Sequence, residues 1–362
     1  MLYAFGSNGS GQLGVGHEDD LSQPQSSIID SLDSIKQIAA GGNHTLFLSE
    51  TGKVAAAGNN PCGHTARAEG DSVSHCTAVP ASLPAEQHSG GEWNAPVLID
   101  QVAATWCASL MLSRHGSLIV GGEGLNGELG LGKDITKSTD LQAIPNFPPG
   151  SRRVLQIAAC MAHAVAVLDN GDVYGWGKGG KGQLGEPAQD AWSPRKIEGI
   201  PFPVAKAVCG KDFTCFIGAR ENGELAISGL KSRDRFGVLS SAPKAVPGWK
   251  DVGASWGSIF ILKQDGNLIS FGRNDHGQLA PQDLPAVEAI GAGSEHCLAL
   301  TQAGQVLSWG WGEHGNCGAP TDQSGDVKGG RWNEVELPDG QSAAALFAGC
   351  ATSFIVAADE QG

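Results

Sequence analysis

The sequence predicts an all-β protein, a seven-bladed β-propeller closed by pairing the N-terminal strand with the C-terminal blade. Three observations predict it: two motifs each recur seven times, a glycine turn separates them six times, and one repeat is divided between the two ends. Internal periodicity of this kind outranks any local reading of secondary structure.

The first motif opens the chain as Tyr3-Ala4-Phe5-Gly6-Ser7-Asn8-Gly9-Ser10-Gly11-Gln12-Leu13-Gly14. It returns clearly at Tyr174 to Gly185, Ile269 to Ala280 and Leu307 to Gly318, and more weakly at Ala55 to Gly63, Ile119 to Gly130 and Ala226 to Gly237. The second motif reads Ile38-Ala39-Ala40-Gly41-Gly42-Asn43-His44-Thr45-Leu46-Phe47-Leu48 and recurs near Val102, Ile157, Val208, Val252, Ile290 and Phe347. Runs such as Thr45 to Leu48 and Val165 to Leu168 are apolar without alternation, which suits strands packed on both faces.

Between the motifs stand hairpin signals at Thr51-Gly52, His115-Gly116, Asn170-Gly171, Asn222-Gly223, Asp265-Gly266 and Ala303-Gly304. Glycine takes the positive φ that such turns require. A seventh turn belongs after Ala357-Ala358, and the strand expected to follow it is found instead at Leu2 to Phe5. Pairing the ends hides two sheet edges that would otherwise template aggregation. A solenoid would show polar caps at both ends rather than one divided repeat. The spacing, about 52 residues, fits a four-stranded blade with its loops, so residues 1–362 are expected to form one propeller domain.

Composition narrows the function. The formal net charge of −14 argues against a surface that neutralises phosphates, so direct nucleic-acid binding is not expected. No apolar run is long enough to span a bilayer, and patterned sequence begins without a signal peptide, so an intracellular, membrane-free protein is expected. The nine cysteines are scattered, unlike a secreted disulfide framework, and are expected to be reduced and mostly buried.

The aromatic-x-x-Gly-x-Asn stretch before Gly-Gln-Leu-Gly, with Ala-Ala-Gly-x-x-His, resembles the regulator-of-chromosome-condensation repeat across essentially the whole chain. Within that family Leu2 to Gln25, with Gly14-Val15-Gly16-His17-Glu18-Asp19-Asp20 and Pro24-Gln25, is similar to the fungal killer-toxin-insensitivity propellers. That likeness implies a non-enzymatic heterodimer with a small zinc protein of diphthamide biosynthesis. It implies roles in diphthamide formation on elongation factor two and in Elongator-dependent wobble-uridine modification of transfer RNA, in cytoplasm and nucleus. The basic N-terminal segment of the chromatin-bound exchange factor for Ran has no counterpart here. Likeness to animal secretion-related propellers keeps a second reading, exchange of guanine nucleotide on a Ran-like GTPase.

Strand direction places the Gly-x-x-His turns and the Asn-x-x-Gly-Gln-Leu-Gly loops on one side of the disc and the short hairpins on the other. The turns are where the copies differ most: Gly42-Asn43, Trp106-Cys107, Met161-Ala162, Lys211-Asp212, Trp256-Gly257, Ser294-Glu295 and Cys350-Ala351. Trp106 and Trp256 are candidate anchors for a partner, since tryptophan is enriched at interface hot spots. Lys211, Asp212 and Glu295 are candidate polar contacts. The competing reading has the two tryptophans plug the central channel or pack between blades.

Other residues carry weaker signals. His44, His163 and His296 hold equivalent places and read as local hydrogen-bonding groups, each fixing its own turn, rather than as metal ligands. Trp93, Trp192, Trp249 and Trp332 read as packing residues. Gly-x-Gly-x-x-Gly occurs at Gly9 to Gly14, Gly122 to Gly127 and Gly180 to Gly185, but a dinucleotide cradle needs a following helix that is not expected here. Gly253-Ala254-Ser255-Trp256-Gly257 mimics a nucleophile elbow yet falls in one of the Ala-Ala-Gly turns, so no catalytic residue is assigned. A polar insertion at about 65–96, the longest interruption of the ring, gathers with its flank Cys62, His64, His75, Cys76 and His88. These are metal-ligand types without a standard zinc spacing, so no metal or cofactor is assigned. Asp322 to Arg331 reads as a plain surface loop.

Overall fold

The second strand of each repeat sits between two neighbouring blades, and its composition answers to that position. His44–Ser49, Ala108–Ser113, His163–Leu168 and His296–Thr301 are buried at every residue, as runs without alternation should be. Outer strands such as Leu21–Ser26 are largely exposed. In the computed structural model, which describes residues 1–29, 32–66, 70–79, 97–230 and 233–358, these strands belong to seven antiparallel sheets. No α-helix occurs among the described residues.

Blade 1 runs Ile35–Ala40, His44–Ser49, Val54–Gly58 and Val73–Ala78, and blade 2 runs Ile99–Ala104, Ala108–Ser113, Leu118–Glu123 and Lys137–Ala143. Blade 3 continues with Val154–Cys160, His163–Leu168, Val173–Gly177 and Ala191–Lys196. Blades 4 and 5 show three strands each, beginning at Lys206–Cys209 and Trp249–Ala254, and blade 6 begins at Val287–Ala292. Blade 7 joins Ala343–Ala348 and Thr352–Ala357 to Leu2–Gly6 and Leu21–Ser26, with Leu2 opposite Val356 and Gly6 opposite Thr352. The expected closure is thus present. All six hairpin glycines, Gly52, Gly116, Gly171, Gly223, Gly266 and Gly304, have φ between 60° and 91°.

Neighbouring blades are joined by recurring devices. On the innermost strands of blades 1 and 3, a glutamine amide reads the next blade's backbone as another strand would. Gln37 Nε2 donates to Val102 O at 2.9 Å while its Oε1 accepts from Val102 N at 3.0 Å, and Gln156 does the same with Ala207 at 2.8 and 2.8 Å. Between blades 4 and 5 an ion pair, Lys206 with Asp251, takes the place of the clamp. Buried indoles add a second tie: Trp176 Nε1 donates to Glu128 O at 2.8 Å and Trp309 Nε1 to Gln278 O at 3.0 Å. Removing rings of this size from water contributes about 2–3 kcal/mol each.

Two expectations change in detail. Part of the proposed insertion, Val73–Ala78, is the outer strand of blade 1, because Cys76 can bury against the Leu13 and Val15 cluster while its neighbours face solvent. Residues 80–96, with His88 and Trp93, lie outside the described residues. Nor is 322–331 a plain loop. Asp326 is buried, its Oδ1 lies 2.9 Å from His276 Nδ1 and its Oδ2 accepts from Lys328, so the contact with His276 ties the segment to blade 5.

Candidate functional site

The seven inner strands converge on the axis, which explains their small residues: a Cβ added at Gly349 would collide with Ala40 of the next blade. At the loop side the turns after these strands interlock through their backbones. Gly42 N donates to Trp106 O at 3.0 Å, Trp106 N to Met161 O at 2.6 Å, Lys211 N to Trp256 O at 3.0 Å, Trp256 N to Ser294 O at 2.9 Å and Ser294 N to Gly349 O at 2.9 Å. Variable side chains therefore project from turns that these five backbone hydrogen bonds tie together, which fixes their positions without depending on their identity.

Trp106 and Trp256 come from opposite sides of this ring, yet their rings meet with centroids 6.0 Å apart at 44°. Both line the central channel, a cavity of about 250 Å³, so they cap its loop-side mouth. Trp106 nevertheless remains 39% exposed, unusual for a residue at the core of a ring. Capping and presentation to solvent are combined in one pair. Lys211 Nζ stands 5.1 Å from the centre of the Trp256 ring, a cation–π geometry that holds the ammonium beside the indoles.

From this pair a cleft of about 390 Å³ extends toward the loops of blades 4 and 5. Lys181, Lys211, Arg233, Arg235 and Arg273 line it, with Phe236 and Trp256 supplying ring surface and Asp212 and Glu295 the acidic groups. Arg235 and Arg273 stack on Phe236 at 5.1 and 4.8 Å. Glu295 belongs to the floor: only 4% exposed, it pairs with Arg273 and accepts from Gln278 Nε2 at 2.9 Å. Burial raises its carboxyl above the ordinary value, against the opposing pull of Gln278 and Arg273. It positions Arg273 more than it faces solvent. Cations outnumber acids in this cleft on a chain of net charge −14, so the field here opposes that of the whole molecule.

The structure thus brings together Trp106, Lys211, Asp212, Trp256 and Glu295, all on the loop side. Arg233, Arg235 and Phe236 escaped the sequence reading because the blade 4 loop departs from Gly-Gln-Leu-Gly; its cluster of basic residues was the available signal. His163 and His296 bond the next blade rather than their own turns: His163 Nε2 reaches Thr214 Oγ1 at 3.0 Å and His296 Nε2 reaches Ser353 Oγ at 2.9 Å. Neither nitrogen of His44 has a hydrogen-bond partner. Ser255 Oγ accepts from Ser258 N at 2.9 Å and closes its turn, a task Thr105 performs in blade 2. Trp249 packs as expected and donates to Gly218 O at 3.1 Å.

Of the scattered ligand types, Cys62 and His64 stay together on the blade 1 loop, while His75 and Cys76 go to the outer strand. None of the nine cysteines forms a disulfide. Burial pushes Cys160 and Cys215 up to about 12 and Cys350 up to about 11, which keeps them protonated and unreactive.

Fold and site together define a closed seven-bladed propeller that presents a basic, aromatic cleft beside a capped central channel. The chain belongs to the RCC1-like domain family, whose model matches residues 1–357. An RCC1 repeat-containing protein of Schizosaccharomyces pombe is 29% identical over 301 residues, covering 77% of this chain and 78% of that one. The mouse secretion-regulating guanine nucleotide exchange factor is 27% identical over 303 residues, and the match spans 61% of its length. Among solved structures, Prp20p of Saccharomyces cerevisiae, described with its binding to Gsp1p and histones, superposes with a TM-score of 0.81. It covers 99% of this chain and 92% of that one at 22% identity, a likeness of fold.

Proposed function

We propose that this propeller is a non-enzymatic protein-binding disc that grips a partner on its loop side. Trp106 and Trp256 anchor the partner, and the cleft of Lys211, Arg233 and Arg235 receives an acidic stretch of it. The observation that carries this reading is the indole pair, with Trp106 exposed and Lys211 stacked on Trp256, since aromatic and cationic side chains held rigid at one spot are what hot spots are made of. The partner favoured by the opening segment is the small zinc protein of diphthamide biosynthesis, in a heterodimer of cytoplasm and nucleus that also supports Elongator-dependent transfer-RNA modification.

A second reading, exchange of guanine nucleotide on a Ran-like GTPase, draws equal support from the relatives, one of which is named for that activity. Co-elution on a sizing column separates the two. An equimolar complex with the zinc protein, weakened about thirtyfold or more by Trp106→Ala with Trp256→Ala, is the expected result, since a hot-spot residue contributes about 2 kcal/mol or more. Binding of the GTPase alone, with accelerated nucleotide release, establishes the exchange reading instead. Unchanged affinity in the double variant moves the contact away from the tryptophans.

A further inference from the structure

The junction of blades 1 and 2 holds a group of side chains outside the cleft. In three blades the loop after the third strand carries a glutamine whose carbonyl oxygen caps a backbone N–H two residues earlier. Gln12 accepts from Ser10 N, Gln183 from Lys181 N and Gln278 from His276 N, each at 2.9 Å. Blade 1 has His64 in the glutamine's place and Cys62 in that of Ser10. The turn itself survives the exchange: Gly63 N donates to Asn60 O at 3.2 Å and Thr65 N to Asn60 Oδ1 at 3.0 Å. Blade 2 holds it from the other side, as Ser109 Oγ donates to His64 O at 2.5 Å.

With its backbone held in this way, the imidazole takes no part in closing the loop. His64 is only 5% exposed, and its Nε2 is buried without a hydrogen-bond partner, an unfavourable state for a polar atom removed from water. Across the junction comes Glu123 from the end of Leu118–Glu123, anchored by its N–H on Cys107 O at 2.9 Å. The Cys62 sulfur, a His64 ring nitrogen and a Glu123 carboxylate oxygen all lie within 4.8 Å of one another. Lys137 is the register partner of Glu123 and adds a positive charge beside the trio.

Thiolate, imidazole and carboxylate are the three ligand kinds that zinc takes from proteins, and small rotations bring donors at this separation to the 2.0–2.3 Å of zinc bonds. With the thiol ionised, the trio carries two negative charges against the two positive charges of the ion. Binding releases the thiol proton to solvent and needs no other reactant. We propose that Cys62, His64 and Glu123 form a zinc site that pins blade 1 to blade 2, with a fourth position for Cys107 or a water molecule. The site is independent of the identity of any protein partner.

The test uses the full chain without a histidine tag, stripped with a chelator and titrated with zinc alone against a chromophoric competitor, then with cobalt for its absorption. Wild type is expected to retain equimolar zinc and to give the cobalt complex a sulfur-to-metal charge-transfer band. His64→Gln restores the residue that other blades carry, so its loop should fold. It and Glu123→Gln are each expected to weaken zinc at least about tenfold, the scale reached even by outer-shell partners. Cys62→Ser should lose the charge-transfer band, and His75→Ala with His88→Ala should keep both affinity and spectrum. Sub-stoichiometric zinc in wild type, unchanged affinity in His64→Gln, or a loss confined to the His75 and His88 variant overturns the site. Thermal melts without zinc verify that each variant is folded.

Discussion

Between blades 3 and 4, His163 Nε2 reaches Thr214 Oγ1 and that hydroxyl donates to Gln183 O at 2.7 Å, whereas between blades 1 and 2 the corresponding His44 reaches nothing. The hydroxyl has one proton and gives it to Gln183, so His163 Nε2 must be the donor in the first bond. A three-member relay thus crosses that junction, and Ser353 builds the same one with His296 and Asn316 between blades 6 and 7. At the blade 1 junction Ser109 still donates to the loop, but the loop residue is His64 and the relay lacks its first member. The glutamine clamps on the inner strands are alike at both places. The difference is confined to the loop side. The scaffold is repeated by backbone and clamp, and departures from the repeat collect where they do not open the ring.

The largest expected effect tests what the two junctions share. Burial lowers His163 and His296 to about 4 and His44 to about 3, from an ordinary value near 6.5, with desolvation the main cause in each. A histidine held neutral by the fold contributes stability that is present above pH 6.5 and is lost as pH falls toward the folded value. By pH 4 the loss is about 3 kcal/mol for each ring. Urea midpoints should therefore drop steeply between pH 6.5 and 4, and replacing His44 and His163 together by phenylalanine should flatten the drop. A flat profile in wild type would show that the rings are charged in the fold.

A smaller effect separates the junctions. Blade 4 carries Phe213 at the histidine position, so the pocket accepts a six-membered ring. His163→Phe removes the donor to Thr214 and is expected to cost about 1–1.5 kcal/mol at pH 7. His44→Phe removes no hydrogen bond and is expected to be neutral within about 0.5 kcal/mol. Equal losses in urea unfolding would erase the distinction. Smaller than the His163→Phe loss is the effect of Ala66→Gly: Ala66 has φ of 57° where the first repeat has Gly14 at 68°. Relieving the left-handed alanine should stabilise by about 0.5–1 kcal/mol in the same assay.

The ring was legible because its evidence is periodic: Asn170-Gly171 and five similar turns mark the hairpin between the second and third strands of six blades, and Leu2 to Phe5 is the strand missing from the last blade. The positions of Trp106 and Trp256 were legible as departures from small residues in a repeated turn. Their contact across the axis was not, since it depends on ring orientation over a channel whose width no local pattern encodes. Glu123 was missed beside Cys62 and His64 for a related reason: it belongs to the next repeat, and only packing of blade on blade brings it near. His75 and Cys76 were grouped with those two by sequence proximity, which their place on the outer strand Val73–Ala78 undoes.

Closure through Leu2–Gly6 also sets a clock on biosynthesis. That strand leaves the ribosome about 350 residues ahead of Thr352–Ala357, with which it pairs. At about 5–20 residues per second the interval is on the order of half a minute. Throughout it the nascent ring is an open arc with two bare edges and an unfilled seat in its final blade. Whatever shields those edges during translation, whether a chaperone or provisional pairing within the arc, must let go when the last six residues of the sheet arrive.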